Sequence, residues 1–330
     1  MKNIIFGLTF LLLVSGCSTK NTYKPQKIDS ETGYSKTLSS KLVDVSRDGA
    51  TYENGQIITR NSGLLDIEIP KGFRFVNSSN GNIIITKGTG EMKILDSEGK
   101  VVFEKNFETE LAGGALKNSI LAMIFVDNTI MLYDIKKDSM IYKESLTRVS
   151  ALDARLANPI FLNDLIVIAT LDGRLLIIDS VKKVVLRDVA ISNKELFNNV
   201  IFLQYANNTI VAATSSKVIS INPKTIETFN ASVRDVIYED KEVFVFTKDG
   251  RVVLLNDKLE MQKELKFQYA VFSAISYGNK LYAVEKNGYL IEIEKDLSSY
   301  KVLKLPDEVD YSLFASGNKI YFDDKYIEIK

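Results

Sequence analysis

From about residue 41 to the end, the chain repeats one pattern: a short run of Ile, Val, Leu, Phe or Tyr, a tight turn, then another run. Residues 158–191 show the unit best. Pro159 to Leu162 reads as a strand and Asn163-Asp164 as a turn. Leu165 to Thr170 is the next strand, and Asp172-Gly173 the next turn. Arg174 to Asp179 and Lys183 to Arg187 complete a set of four. An Asp-Gly pair between apolar runs is a strong hairpin signal, because the tightest turns need positive φ at their central residues. No amphipathic helical period interrupts the series, so the chain is restricted to an all-β architecture.

The turns recur in pairs at nearly constant separation. Gly81 pairs with Gly88–Gly90, Asn118 with Asp127-Asn128, and Asn207-Asn208 with Ser215-Ser216. Asp240-Lys241 pairs with Asp249-Gly250, Gly278-Asn279 with Asn287-Gly288, and Gly317-Asn318 with Asp324-Lys325. An acidic or amide residue closes the third strand of each unit: Asp96, Asp134, Asp179, Asn222, Asn256 and Glu294, spaced by 38, 45, 43, 34 and 38 residues. At such a position the side chain bonds the backbone of the following turn, so these acids read as structural and not as a catalytic or metal-binding ring. Four-stranded units at a period near 40 predict a β-propeller. Each small sheet has two apolar faces and buries them only by stacking on neighbours around a ring.

Six units look complete: about 73–107, 114–145, 158–191, 199–230, 233–267 and 270–305. The last, 311–330, has three strands. The reading is seven four-stranded antiparallel blades, the last completed and the ring closed by an N-terminal strand, for which Leu64 to Ile69 is the candidate. Asp48-Gly49 and Asn54-Gly55 in the same stretch leave room for an eighth blade.

Composition excludes many chemistries. The chain of 330 residues has no His, no Trp and one Cys. Without His there is no Ser-His-Asp or Cys-His nucleophile, and few zinc sites can form. One Cys allows no intrachain disulfide, no iron–sulfur cluster and no CxxC redox pair. Lys+Arg and Asp+Glu are 42 each, so there is no electrostatic footprint for nucleic acid. No residue is assigned a catalytic, cofactor-binding or metal-binding role, and the chain is read as a non-enzyme.

The N-terminus carries an address. Met1-Lys2-Asn3 is a short basic start, Ile4 to Val14 an almost unbroken apolar run, and Ser15-Gly16 a small-residue cleavage site. The run is short for a permanent span, which needs about 20 residues. Val14-Ser15-Gly16-Cys17 resembles the lipobox of bacterial lipoproteins. That resemblance implies a signal peptide over 1–16, cleavage before Cys17, and acylation, as by palmitate, of Cys17. Two or more acyl chains give stable anchoring where one is marginal. Ser18 in place of Asp implies the outer membrane by similarity to enterobacterial sorting. Residues 18 to 40 are polar and aperiodic, so 17–40 is expected to be the lipidated Cys and a flexible tether, and 41–330 the propeller.

The unit from Leu165 to Leu186 looks like the PQQ-like propeller repeat. Quinoprotein dehydrogenases built on it carry a closing Trp, a cofactor-stacking platform and Ca²⁺-binding acids. None is recognisable here, so no cofactor is expected. A lipoprotein signal followed by such blades resembles the BamB family, the propeller subunits of the outer-membrane β-barrel assembly machinery. The likeness is sharpest from Thr147 to Asp153 and from Asn158 to Asn163. In that family an R-L-S-D-V-D segment contacts the periplasmic domains of the barrel-forming partner. The resemblance implies Asp153 as a contact residue with Arg148 as its neighbour. Ala151 stands where the first acid of the motif would be, three extra residues precede the Pro, and Leu111-Ala112 replaces a Leu-Arg contact element. A second long connection, 192–199, carries Leu196-Phe197.

The function expected from this reading is a non-catalytic, lipid-anchored scaffold at the outer membrane, facing the periplasm and binding a protein partner in barrel assembly. It would be a monomeric propeller within a complex. The alternatives are a scaffold of another envelope machine for secretion or motility, and a propeller binding a glycan or small ligand in its channel. A carboxylate-based hydrolase or lyase finds no carboxylate pair that stands out from the repeat turns.

Overall fold

The computed structural model describes residues 21–149, 153, 155–192, 197–310 and 312–329. These form strands and turns with no helix, and therefore no helix long and apolar enough to cross a membrane. The strands make eight sheets arranged as successive blades, at 42–68, 74–106, 111–145, 160–190, 202–230, 233–266, 272–304 and 313–328. Within each, consecutive strands pair antiparallel, inner to outer. The seven blades of the sequence reading become eight.

The additional blade is the first. Its strands Leu42–Val45, Gly49–Tyr52, Gln56–Thr59 and Gly63–Glu68 are short, and three of them have only four residues. Leu64 to Ile69, expected beside the C-terminal strands, instead forms the outer strand of this blade and its exit. The alternating burial of Gly63–Glu68 is that of a one-sided edge strand. The C-terminal sheet takes Lys36–Thr37 as its fourth strand, antiparallel to Lys325 and Tyr326.

Residues 21–40 therefore differ from the expected tether. Tyr23 is buried between blades six and seven, edge-on to Phe267 and Tyr289. Ser30–Glu31 then pairs parallel with the outer strand of blade seven, and Lys36–Thr37 with blade eight. This segment is polar because its side chains face solvent while its backbone completes two sheet edges. Hydropathy does not register that arrangement.

The core is divided among the seams. Eight apolar clusters lie between neighbouring blades, one for each pair, including the pair formed by blades eight and one. The second and third strands are buried on both faces, as in Leu165–Ala169 and Arg174–Asp179. Each Ile, Val or Leu so enclosed contributes about 1.5–3 kcal/mol of burial. The seam between blades eight and one is the smallest, built on Leu42, Ala50, Tyr52, Ile58, Phe314 and Tyr321.

Candidate functional site

The inner strands surround a central channel, and the turn after the first strand of blade one projects into it. Its two charged residues reach the opposite side of the ring. Arg47 Nη1 donates to Asp235 Oδ1 on blade six at 2.8 Å, and its guanidinium lies 4.7 Å from the ring centre of Phe202 on blade five. Asp48 accepts from Asn158 Nδ2, beside blade four, at 2.7 Å. Arg60, in the turn between the third and fourth strands of blade one, donates through Nε to the Arg47 carbonyl at 3.0 Å and stacks on Phe314 of blade eight. Asn158 also accepts from the Gly114 amide at 2.9 Å, which ties blade three into the network.

This crossing turn divides the channel. One chamber, about 320 Å³, lies at the starts of the inner strands and is lined by Arg155, Arg234, Asp235, Ser273 and Ser312 together with Asp153. A second, about 540 Å³, lies toward their ends beside Gln204, Tyr238, Glu239 and Tyr277. Arg47 and Arg60 border both.

The electrostatics follow from partial burial. Asp235 would be raised by desolvation, but the guanidinium groups of Arg47, Arg155 and Arg60 outweigh this and hold it below the usual carboxylate range. Asp153 is governed in the same way: burial would raise it, but Arg155, helped by Arg234, outweighs burial and holds it below the usual carboxylate range. Arg155 Nε donates to Asp153 Oδ1 at 2.8 Å, and the Asp153 amide donates to Asn199 Oδ1 at 2.8 Å. Among the described residues, no group of three or more His, Cys, Asp or Glu is placed to hold a metal ion.

The residues singled out by sequence fall in different places. Asp153 lines the first chamber, and its carboxylate is engaged by Arg155. Arg148 is exposed on the connection that precedes it, and no hydrogen bond or ion pair among the described residues joins the two. Leu111 and Ala112 are buried, opening the inner strand of blade three. Phe197 is exposed. Cys17, residues 1–16 and Leu196 lie outside the described residues. Arg47, Arg60, Arg234 and Asp235 escaped the sequence reading. The available signal was an adjacent Arg-Asp pair between Val233 and Val236 of the inner strand Val233–Glu239, and a second such pair just before Gly49.

No family model matches the chain. Proteins named plasminogen-binding protein PgbB, from two strains of Helicobacter pylori, are 26% identical to it, covering 99% of this chain and 71% of theirs. Among solved structures, BamB from Moraxella catarrhalis matches with a TM-score of 0.63 at 13% identity, covering 87% of this chain and 94% of its own. The C-terminal WD40 domain of Sif2 matches with a TM-score of 0.66 at 13% identity, covering 89% and 98%. Likeness at that identity establishes the propeller architecture alone.

Proposed function

We propose that the chain is a non-catalytic, lipid-anchored binding propeller of the bacterial envelope, held by Cys17 at the outer membrane and facing the periplasm. Its role is to present the loops of a rigid ring to a protein partner. The observation that carries this reading is the likeness, over 99% of the chain, to proteins named for binding another protein. The fold is consistent with it, because loops mounted on a stiff scaffold are common sites of recognition. Six positions separate Cys17 from the buried Tyr23. An extended chain of that length spans about 20 Å, so an anchor at Cys17 holds the seam between blades six and seven close to the bilayer.

The partner we favour is the outer-membrane subunit of the barrel-assembly machinery, on the BamB-like sequence from Thr147 to Asn163. Arg148 is the exposed contact on that stretch, while Asp153 turns into the channel and pairs with Arg155. A second reading, binding of plasminogen, is favoured by the name of the relatives, which match 99% of this chain and 71% of their own length.

The test is affinity capture from detergent-solubilised envelope with the lipidated, C-terminally tagged chain, beside binding of purified plasminogen. Recovery of the barrel-assembly subunit, lost with Arg148→Glu, supports the first reading. Recovery of a different envelope complex keeps the scaffold and removes that role. Plasminogen binding without an envelope partner selects the second reading. Cys17→Ala is expected to move the chain from the membrane to the soluble fraction, and unchanged membrane retention would overturn the anchor.

A further inference from the structure

The first chamber of the channel holds more positive than negative charge. Arg47, Arg60, Arg155 and Arg234 border it, against Asp153 and Asp235. The pairing is uneven. Arg47 is taken by Asp235 and Arg155 by Asp153. Arg60 has a looser carboxylate contact, 3.8 Å to Asp48, which faces the far side of the crossing turn. Arg234 has none: among the described residues its Nη2 donates to the Ser273 carbonyl at 3.2 Å, and no carboxylate lies within ion-pair distance. A guanidinium has five donors in a planar fork, so most of those on Arg234 are unspent. Ser273 and Ser312 line the same chamber.

From this arrangement we propose that the chamber is a binding site for a small oxyanion-bearing molecule, a carboxylate or a phosphate, seated on the Arg234 guanidinium. Arg60 supplies the second positive charge, and the hydroxyls of Ser273 and Ser312 complete the donor set. The planar fork of arginine matches both anions in bidentate fashion. A volume of about 320 Å³ suits a small molecule, at the lower end of the range typical of ligand pockets. The titration behaviour agrees with an excess of positive charge. Burial and then the Arg155 guanidinium lower the pKa of Arg234 from its ordinary value against the opposing pull of Asp235 and Asp153, and burial and then Arg47 do the same to Arg60 against Asp48 and Asp235. A bound anion would relieve both. This site lies inside the ring; it shares Asp153 and Arg155 with the stretch proposed above for protein contact, but Arg234, Arg60, Ser273 and Ser312 stand outside that stretch.

The experiment is isothermal titration of the full chain with inorganic phosphate and, in a separate arm, with succinate, at constant ionic strength. The expected result is saturable binding of one of them with a Kd of about 1 mM or tighter. The arm that saturates identifies the anion class. Arg234→Gln is expected to weaken that binding about tenfold or more, the loss of a charge-assisted bidentate contact. Arg234→Lys, which keeps the charge but not the fork, should weaken it less, and it serves as the informative variant if Arg234→Gln does not fold by circular dichroism. Arg187→Gln, on the exposed outer strand of blade four, should bind as wild type. Failure of both probes to saturate, or equal affinity in the Arg234 variants and wild type, overturns the proposal.

Discussion

Single side chains set the turns of this ring. The residues that close the third strands act as the spacing predicts. Asp96, Asp134, Asp179, Asn222 and Asn256 each accept, through Oδ1, two amide hydrogens from the following turn. Glu294 departs from the pattern. Its longer side chain pairs with Lys280, and Asp296 takes the turn amide of Ser298 instead. The Asp249-Gly250 hairpin gives a pH test. Burial would raise Asp249, but the Thr247 hydroxyl, Lys266 and Arg251 outweigh it and lower its pKa from 3.8 to about 2. A depressed folded pKa stabilises the fold above the unfolded value, and that stability is lost as pH falls through the folded one. Asp249→Asn is expected to cost about 1 kcal/mol at neutral pH. It should also flatten the fall in stability between pH 3.8 and about 2, as read by urea midpoints across that window. The following glycine is required outright: φ is +82° at Gly250, and a Cβ there would stand 2.2 Å from the Phe267 carbonyl.

At the level of elements, the blades protect their outer edges and the N-terminal segment fastens two of them. Outer strands are interrupted by bulges against the third strand in blades one, two, three, four and six. They also carry exposed charge, as in Met261–Lys266. Both features discourage edge-to-edge pairing with other chains. Blades seven and eight differ, since Ser30–Glu31 and Lys36–Thr37 cover their edges. The fastening point is Tyr23, 6% exposed among Phe267, Tyr289 and the apolar side chains of blades six and seven. Tyr23→Ala is expected to cost about 3 kcal/mol. It should also make residues 24–37 accessible to limited proteolysis before the rest of the chain. A loss below about 0.5 kcal/mol, with no new cleavage, would show that the segment merely rests on the ring.

The whole molecule is a closed ring braced across its centre. Arg47 is 8% exposed and ties blade one to blades five and six. Removing one partner of a buried pair strands the other charge, so Arg47→Met is expected to cost about 3–5 kcal/mol. Adding Asp235→Leu should recover much of that loss, a coupling that a double-mutant cycle reads directly. Because Asp235 has its pKa held down by Arg47, the wild-type contribution is complete above the ordinary carboxylate pKa. It disappears as pH falls through the folded value. The double variant should lack that acid limb. The seam between blades eight and one, the thinnest of the eight, is expected to open first. Faster amide exchange in Leu313–Ser316 and Leu42–Val45 than in the core strands of blade six would register it.

Much of this architecture was legible in one dimension. The repeat of apolar runs and turns, the pairing of turns and the structural role of the third-strand acids are local properties. Each depends on side chains within a few residues, so the four-stranded unit and the propeller class follow from the sequence. The number of blades did not, because the strands of blade one are too short to announce themselves and Gly63–Glu68 alternates like an edge. Nor did the fastening by residues 21–37, where the polar side chains face water and the backbone supplies the bonds. The charged crossing of the channel was equally out of reach. Arg47 and Asp235 stand 188 positions apart, and only closure of the ring brings blade one opposite blades five and six. Whether their charges are paired or unmatched is a property of that enclosed space. Local pattern therefore determined what each blade is, and tertiary closure decided what the centre of the ring contains.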